Sequence, residues 1–369
     1  MRFNVMKTVF STRQVTQLTL GLFTTSLLGF FSYSESGSVQ AQAGDPLQVV
    51  TTILPITQFT RAVAGDRAEV TPLMPTNVGP HDFQARPEEV RILSQADVLV
   101  INGLEIETFL EGLIANAGNP GLLTIDSSDG IATMEGDHEH SNDHDHEHSE
   151  EHSHDHEHSD DHSHDHGHVH GEFNPHIWLD PKRAIQQVEN IRDGLISLDP
   201  EGQAIYQANA AAYIEELQAL DQEISAQLNP FQGKTFVVFH DFAPYFAESY
   251  GLKAEFLIEI PEENPAPEDV RRVIEAVRES GLQTILTEPQ AGDSNPFEVL
   301  ATDLEVEVRV FDPIETSGPE GIEPDYYLTI MRQNVENLVS AFESEMAFFP
   351  TPLPPVALGS IERPLVLSR

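Results

Sequence analysis

The chain has 369 residues, which is enough for two domains of ordinary size. Its formal net charge of −42 argues against a nucleic-acid partner, since such binding needs a basic surface, and favours a cation. The chain has no cysteine, which excludes disulfides and thiolate ligands, so any transition metal must be held by His, Asp or Glu.

The N-terminal segment, residues 1–43, is predicted to be a signal peptide. Basic residues precede an apolar run at 18–31, and a small-residue cleavage site, Ala-Gln-Ala, follows at 41–43. The run is short for a transmembrane helix, although a retained anchor is the alternative, and the missing cysteine argues against a lipid-anchored start. We expect the mature chain to begin near Gly44, in a periplasm or an equivalent compartment.

Strand and helix patterns alternate after the signal, which predicts parallel pairing in an open α/β sheet over residues 44–180. The predicted strands are 49–53, 68–73, 98–101 and 122–125, and the predicted helices are 56–64, 87–95 and 106–117.

A His/acid tract at 135–172 interrupts this lobe. It holds 14 of the 17 histidines and no Lys or Arg, and no apolar residue lies between His138 and His168, so we expect it to be disordered. Neighbouring carboxylates raise histidine pKa values, so protons compete with metal. The tract is predicted to form weak, exchangeable sites that buffer metal; the alternative is an acidic linker whose histidines are incidental. The accessory ligands would be His138, His140, His144, His146, His148, His152, His154, His156, His158, His162, His164, His166, His168 and His170.

The region 181–229 is predicted to be helical, because Asp-Pro pairs at 180–181 and 199–200 are typical helix starts. Its second helix, 201–228, would be about 40 Å long and could run across a domain boundary. The α/β pattern then resumes in a C-terminal lobe, 230–347, and a Pro-rich tail, 348–369, is expected to be flexible. The later strands are predicted at 236–239, 254–258, 284–287 and 306–311, and the later helices at 242–250, 267–280, 296–304 and 326–346.

Three histidines stand outside the tract, and each lies in a loop or at a strand end. His81 and His176 belong to the first lobe, whereas His240 and Asp312 end strands of the second. Open α/β sheets place ligands beyond the carboxyl ends of their strands, so these four could converge in a cleft between lobes. Imidazoles with a carboxylate suit zinc above all. Asp312, which precedes a proline, could equally be a turn or cap residue.

Other side chains near these positions are predicted to have supporting roles. Glu288 is interpreted as a cap or scaffold residue, and Trp178 as core packing beneath the site. Asp82, Asp180 and Asp241 are candidates to orient the histidines, since metal-binding imidazoles usually donate their second nitrogen to a partner.

Several motifs together resemble the ZnuA-like branch of the cluster 9 metal solute-binding proteins of ABC importers. They are GPHDFQARPEEV, NPHIWLDP, FVVFHDFAPYFAESYGL, TEPQ and VFDPI, spread over nearly all of the mature chain. The His-rich insertion before NPHIWLDP is itself typical of the zinc branch. The resemblance implies two open (β/α) lobes with mostly parallel sheets joined by a long rigid helix, a C-clamp with metal between the lobes. It also implies a membrane permease as partner.

The resemblance carries over to single residues. His81, His176 and His240 match the family's histidine ligands; manganese-binding relatives carry Glu at the third of these positions, so His240 favours zinc. Asp312 matches the carboxylate that binds manganese in those relatives, and its place could instead be taken by water.

The resulting prediction is a monomeric periplasmic binding protein, not an enzyme, that carries Zn²⁺ as transported ligand to an ABC importer. The alternatives are a manganese or broad-specificity binder, a periplasmic zinc buffer or adhesin, and a zinc hydrolase or carbonic-anhydrase-like enzyme. For the enzyme alternative, the sequence offers neither an HExxH motif nor a convincing general base.

Overall fold

The computed structural model describes residues 46–134, 173–260, 264–291 and 296–348. The predicted signal peptide, the His/acid tract and the tail beyond residue 348 lie outside the described residues. Within the described ranges, no helix combines the length and the apolar character needed to cross a membrane.

The N-terminal lobe contains a four-stranded parallel sheet with the strand order β2-β1-β3-β4. Its central strand β1 pairs on both sides, so that Val49 lies between Val70 and Val98. The strands are β1 Leu47–Thr51, β2 Ala68–Pro72, β3 Val98–Ile101 and β4 Leu123–Asp126, and the helices are α1 Leu54–Ala64, α2 Pro87–Gln95 and α3 Leu110–Ala117.

Helix α3 begins at Leu110, four residues later than the apolar pattern predicts. The reason is the side chain of Glu107, which accepts hydrogen bonds from the backbone N–H groups of Asn102 (2.6 Å) and Gly103 (3.2 Å). These bonds close a loop after β3, because they commit Glu107 to a turn instead of a first helical turn.

Two helices connect the lobes, α4 Pro181–Leu198 and α5 Gln203–Leu228. Asp180 caps α4 through its Oδ1, which accepts from the N–H of Lys182 at 3.1 Å. Helix α5 has 26 residues and is about 39 Å long. Its buried side chains recur every three or four residues, as expected for one packed face: Tyr206, Ala210, Tyr213, Leu217, Leu220, Ile224 and Leu228.

The C-terminal lobe repeats the parallel arrangement with the order β6-β5-β7-β8. In β5, Phe236 and Val238 face the core shared with α5, whereas Val237 and Phe239 face the opposite side, so both faces of the sheet are covered. The strands are β5 Thr235–His240, β6 Lys253–Ile258, β7 Thr284–Thr287 and β8 Glu307–Val310, and the helices are α6 Pro244–Ser249, α7 Pro267–Ser280, α8 Pro296–Leu304 and α9 Pro324–Phe348.

Helix α5 contacts elements of both lobes. The Nδ2 of Asn209 donates to the carbonyl of Val63 in α1 (3.1 Å), and the hydroxyl of Tyr213 donates to the carbonyl of Pro324 in α9 (2.9 Å). A single apolar cluster extends from the first sheet through these helices into the second lobe. The predicted architecture of two parallel α/β lobes joined by a long helix is therefore confirmed.

Candidate metal centre

Four side chains from both lobes converge at the cleft: His81, His176, His240 and Glu315. Each offers one donor atom, and these atoms all lie within 4.8 Å of one another. The side chains of His176 and His240 are fully buried and that of Glu315 is 2% exposed, so the donors face each other and not bulk water.

The fold explains this convergence. His81 lies in the loop between β2 and α2, His176 directly before the turn that leads into α4, and His240 at the end of β5. Glu315 follows β8 in the loop before α9. All four therefore come from the end of the parallel sheets at which such folds bind ligands.

The spacings of Glu315 Oε1 from the three imidazoles, and of His176 from His240, are close to those in the shell of a small four-coordinate ion. The Oε1 of Glu315 lies 3.3 Å from His81 Nε2, 3.2 Å from His176 Nε2 and 3.6 Å from His240 Nε2. The Nε2 atoms of His176 and His240 are 3.4 Å apart. A tetrahedron whose corners lie about 2.0–2.1 Å from a central zinc ion has edges of about 3.3–3.4 Å. The four side chains could thus hold such an ion.

Asn174 selects the tautomer of His176. Its Oδ1 lies 3.0 Å from His176 Nδ1 and also accepts from the backbone N–H of His176 at 3.1 Å. The Nδ2 of Asn174 donates to the backbone carbonyl and Oδ2 of Asp241, which fixes the orientation of the amide. Because an amide oxygen can only accept, Nδ1 of His176 carries the proton and Nε2 keeps its lone pair for an ion.

A carboxylate orients His240 instead of an amide. The Oε1 of Glu288 lies 2.5 Å from His240 Nδ1 and accepts from the backbone N–H of His240 at 3.2 Å. Burial lowers the pKa of His240, but the charges of Glu288 and Glu315 outweigh it and raise this pKa to about 10. Burial conversely favours neutral Glu315, yet His240 and His81 hold the pKa of that carboxyl well below its usual range. Glu288, interpreted from the sequence as a cap or scaffold residue, thus lies directly behind a histidine of the cluster.

The loop that carries Glu315 is tied to the first lobe. The indole N–H of Trp178 donates to the carbonyl of Pro313 at 2.8 Å, and the N–H of Ser317 donates to the carbonyl of Thr76 at 2.6 Å. Trp178 is completely buried, as predicted for core packing, and in addition positions this loop.

Asp312 takes a different place from the four converging side chains. Its Oδ1 accepts from the N–H of Ile314 at 2.7 Å, and its own N–H donates to Asn334 Oδ1 at 2.8 Å. Burial, with the charges of Glu315 and Glu288, raises the pKa of Asp312 to about 6. The side chain therefore holds the turn before Glu315, which corresponds to the turn role left open from the sequence.

Sequence reasoning missed Glu315. The available signal was its position three residues beyond Asp312 in the segment FDPIE, but a carboxylate in a loop has many possible partners. Of the aspartates considered as supports, Asp241 reaches His176 through Asn174, Asp180 caps α4, and Asp82 is exposed.

A cavity of about 800 Å³ lies beside the cluster. Loops of both lobes line it, including residues on either side of the cleft: Gly79, Asp82, Gln290, Asp312 and Thr316. The residues that flank the His/acid tract also meet near the cluster, because Asn174 N–H donates to the carbonyl of Met134 at 3.1 Å. The accessory histidines of the tract lie outside the described residues, so their role stays a prediction.

The chain is similar to known metal-binding proteins along most of its length. The family model described as "ZnuA: Zinc-uptake complex component A periplasmic" matches residues 49–341. The zinc-binding lipoprotein AdcA of Streptococcus pneumoniae serotype 4 (strain ATCC BAA-334 / TIGR4) is 30% identical over 334 residues, covering 88% of this chain and 61% of AdcA. This chain thus spans about three fifths of that relative's length.

Two further comparisons extend this result. The manganese ABC transporter substrate-binding lipoprotein PsaA of Streptococcus pneumoniae is 27% identical over 326 residues, covering 86% of this chain and 96% of PsaA. The crystal structure of the Zn(II)-bound ZnuA-like domain of Streptococcus pneumoniae AdcA superimposes with a TM-score of 0.62 at 28% identity, covering 80% of this chain and 98% of that domain. These matches confirm the resemblance that the motifs indicated.

Proposed function

This chain belongs to the ZnuA family, and we propose that it captures Zn²⁺ between its lobes and delivers it to the membrane permease of an ABC importer. One observation carries the proposal: three imidazole Nε2 atoms and a carboxylate oxygen converge within 4.8 Å of one another, and the spacings around Glu315 Oε1 and between His176 and His240 are close to those of a tetrahedral shell. The zinc-uptake description of the family and the zinc-binding name of AdcA support the choice of metal. Zinc is here the transported ligand and not a resident cofactor.

The proposed ligands are His81, His176, His240 and Glu315. Glu315 takes the fourth position, for which the sequence suggested Asp312 or water, because the Oδ1 of Asp312 is engaged by the N–H of Ile314. A set of three nitrogens and one oxygen suits zinc, whereas Mn²⁺ prefers an octahedral shell of oxygens. The similarity to PsaA, whose name specifies manganese, makes manganese or broad-specificity binding the second candidate.

The donor set also favours binding over catalysis. Catalytic zinc sites use three protein ligands and keep a position open for water or substrate, whereas closed four-ligand sites do not. His81, His176, His240 and Glu315 together form a closed set. We therefore infer a binding protein and not an enzyme such as a zinc hydrolase.

The main test separates the cluster from the His/acid tract. Zn²⁺ and Mn²⁺ are titrated into the full chain and into a His81→Ala/His176→Ala/His240→Ala variant, in competition with a chelator of known affinity. We expect the tightest zinc site to disappear in the triple variant while weak sites persist. Glu315→Gln should weaken this site more than Asp312→Asn, its matched control. A tight site that survives in the triple variant would contradict the assignment.

For the tract, we propose metal capture and buffering near the cleft. The support is position, since Asn174 hydrogen-bonds both to His176 and to Met134, the residue directly before the tract. Deletion of residues 137–170 should lower the zinc stoichiometry and leave the tightest site in place. An unchanged stoichiometry would refute the buffering role.

Export and assembly complete the proposal. We propose that the signal segment is cleaved near Gly44, that the mature chain works in the periplasm or an equivalent compartment, and that it is a monomer. N-terminal sequencing of the exported protein tests the cleavage, and sedimentation of the metal-loaded protein tests the monomer. A mature N-terminus within residues 1–30 would contradict the cleavage site.

A further inference from the structure

The side-chain amide of Gln290 lies between the two carboxylates of the centre. Its Nε2 donates to Glu288 Oε2 at 2.6 Å and to Glu315 Oε2 at 2.9 Å. Both neighbours are carboxylates that face the same amide group, so the NH₂ end must point toward them and each of its protons engages one carboxylate.

This arrangement divides the two oxygens of Glu315 between different partners. Oε1 faces the Nε2 atoms of His81, His176 and His240 at 3.2–3.6 Å, whereas Oε2 accepts from Gln290. A carboxylate held in this way offers one oxygen to an ion, because rotation that brought Oε2 inward would break its bond to the amide.

One oxygen of each of two neighbouring carboxylates is already engaged. Glu288 presents Oε1 to His240 Nδ1, and Asp312 Oδ1 accepts from the N–H of Ile314. Because Oε2 of Glu315 belongs to the same carboxylate as Oε1, an ion bound to Oε1 can gain it as a fifth donor by a small rotation of that carboxylate. If the hydrogen bond from Gln290 to Oε2 were lost, ions that require more than four ligands would gain most, because hard ions such as Mn²⁺ bind through additional oxygens.

We propose that Gln290 determines metal specificity by keeping Glu315 monodentate, so that the centre offers four donors and selects tetrahedral Zn²⁺ against ions of higher coordination number. Gln290 acts as a positioning residue, because it touches the carboxylate and not the ion. The inference rests on the proposed function, since it places the metal in this cluster.

The test compares Gln290→Leu with the full natural chain. Gln290 is partly exposed at the cavity wall, so an apolar side chain fits there, and Gln290→Met serves as a second variant that keeps the side-chain length. Gln84→Leu is the matched control, since Gln84 lines the same cavity on the opposite loop. Co²⁺ is the spectroscopic probe, because tetrahedral Co²⁺ absorbs visible light far more strongly than five- or six-coordinate Co²⁺. For each protein, the Co²⁺ spectrum is also recorded after the additional substitutions His176→Ala and His240→Ala. Subtracting this second spectrum leaves the absorbance of Co²⁺ bound at the cluster.

We expect both Gln290 variants to show a lower visible absorbance per bound Co²⁺. We also expect the ratio of Mn²⁺ affinity to Zn²⁺ affinity to rise by about tenfold, which is the size of effect seen when a residue that orients a metal ligand is lost. Gln84→Leu should change neither quantity. An unchanged spectrum and affinity ratio in the Gln290 variants would overturn this inference and leave the proposed function intact. The absence of any cobalt difference spectrum in the natural chain would overturn both.

Discussion

The two lobes use the same scaffold feature with different partners. Each sheet has a buried carboxylate beyond its third strand in chain order, which is β3 in the first sheet and β7 in the second. This carboxylate bonds to a side chain at the end of the first strand of the same sheet, β1 or β5. In the N-terminal lobe, Glu107 Oε1 accepts from the hydroxyl of Thr52 at 2.6 Å; in the C-terminal lobe, Glu288 Oε1 lies 2.5 Å from His240 Nδ1. The strand orders β2-β1-β3-β4 and β6-β5-β7-β8 make these positions equivalent.

The difference lies in what the carboxylate holds. Glu107 accepts from Thr52, Asn102 and Gly103, all neutral, and so it closes a loop. Glu288 holds an imidazole of the proposed metal centre. The N-terminal lobe therefore supplies its histidines from loops, with Asn174 as an orienting group, whereas the C-terminal lobe supplies one directly from a strand end. Equivalent backbone positions can serve folding in one lobe and binding in the other.

The largest expected effect separates the two first-strand side chains. His240→Ala removes a proposed ligand and should weaken zinc binding at the tight site by more than about 100-fold, or more than about 3 kcal/mol. Thr52→Ala, its N-terminal counterpart, should change this affinity by less than about threefold. Competitive chelator titrations of both variants measure the difference. Equal losses would mean that the two positions are not functionally distinct.

Folding stability should respond to pH through Glu107. Burial raises the pKa of this carboxyl from 4.5 to about 7, against the hydrogen bonds of Thr52, Asn102 and Gly103. The folded state therefore favours the protonated form, and its stability should decrease by up to about 3 kcal/mol as the pH rises from about 4.5 to 7 and then level off.

Urea unfolding of the metal-free protein at pH 5 and pH 8 measures this effect. Between pH 5 and pH 8, the unfolding free energy of Glu107→Gln should decrease less than that of the unsubstituted protein. Glu111→Gln, at an exposed position of α3, is the control and should keep the pH dependence of the natural chain. If Glu107→Gln retained the full decrease, another group would have to be responsible.

The two carboxylates should differ in their effect on zinc. Glu288→Gln keeps the shape of the side chain but removes the charge behind His240, and should weaken zinc binding by about 10–100-fold. Glu107→Gln should leave zinc affinity within about threefold. Isothermal titration of both variants under identical conditions is the measurement, and a larger loss for Glu107→Gln would reverse the comparison.

The smallest effect is expected from the ion pair between Arg61 and Glu323, which joins α1 to the segment before α9. The two side chains are 31% and 52% exposed, and water screens such pairs. Arg61→Ala should cost less than about 1 kcal/mol of unfolding free energy and leave zinc affinity unchanged. A loss of affinity as large as that of Glu288→Gln would show that this contact governs the cleft.

Much of the fold could be predicted because its signals are local. Apolar runs and prolines in first helical turns placed β3, β7, α2, α7 and α8 at the bounds that the structure has. The start of α3 could not be predicted, because it depends on Glu107 bonding backbone groups that a periodic pattern does not reveal.

The candidate site likewise has a part that the sequence could predict, the histidines, and a part that it could not, the carboxylate. His81, His176 and His240 stood out because they lie outside the tract in comparable positions, and the structure brings them together. The carboxylate could not be chosen, because Asp312 and Glu315 are only three positions apart in the sequence and the directions of their side chains are set by contacts from distant segments. One such contact, from Trp178 to Pro313, joins residues 135 positions apart in the chain.

The amino-acid sequence alone determined the α/β alternation, the family and the kinds of donor available, because periodicity, motifs and residue chemistry are local properties. The tertiary structure decided which carboxylate meets the histidines, which imidazole nitrogens face the cleft, and which oxygen of Glu315 remains for an ion. Those choices depend on hydrogen bonds between segments that are far apart in the sequence, such as Gln290 to Glu315 and Asn174 to Asp241, and only the folded chain brings these segments together.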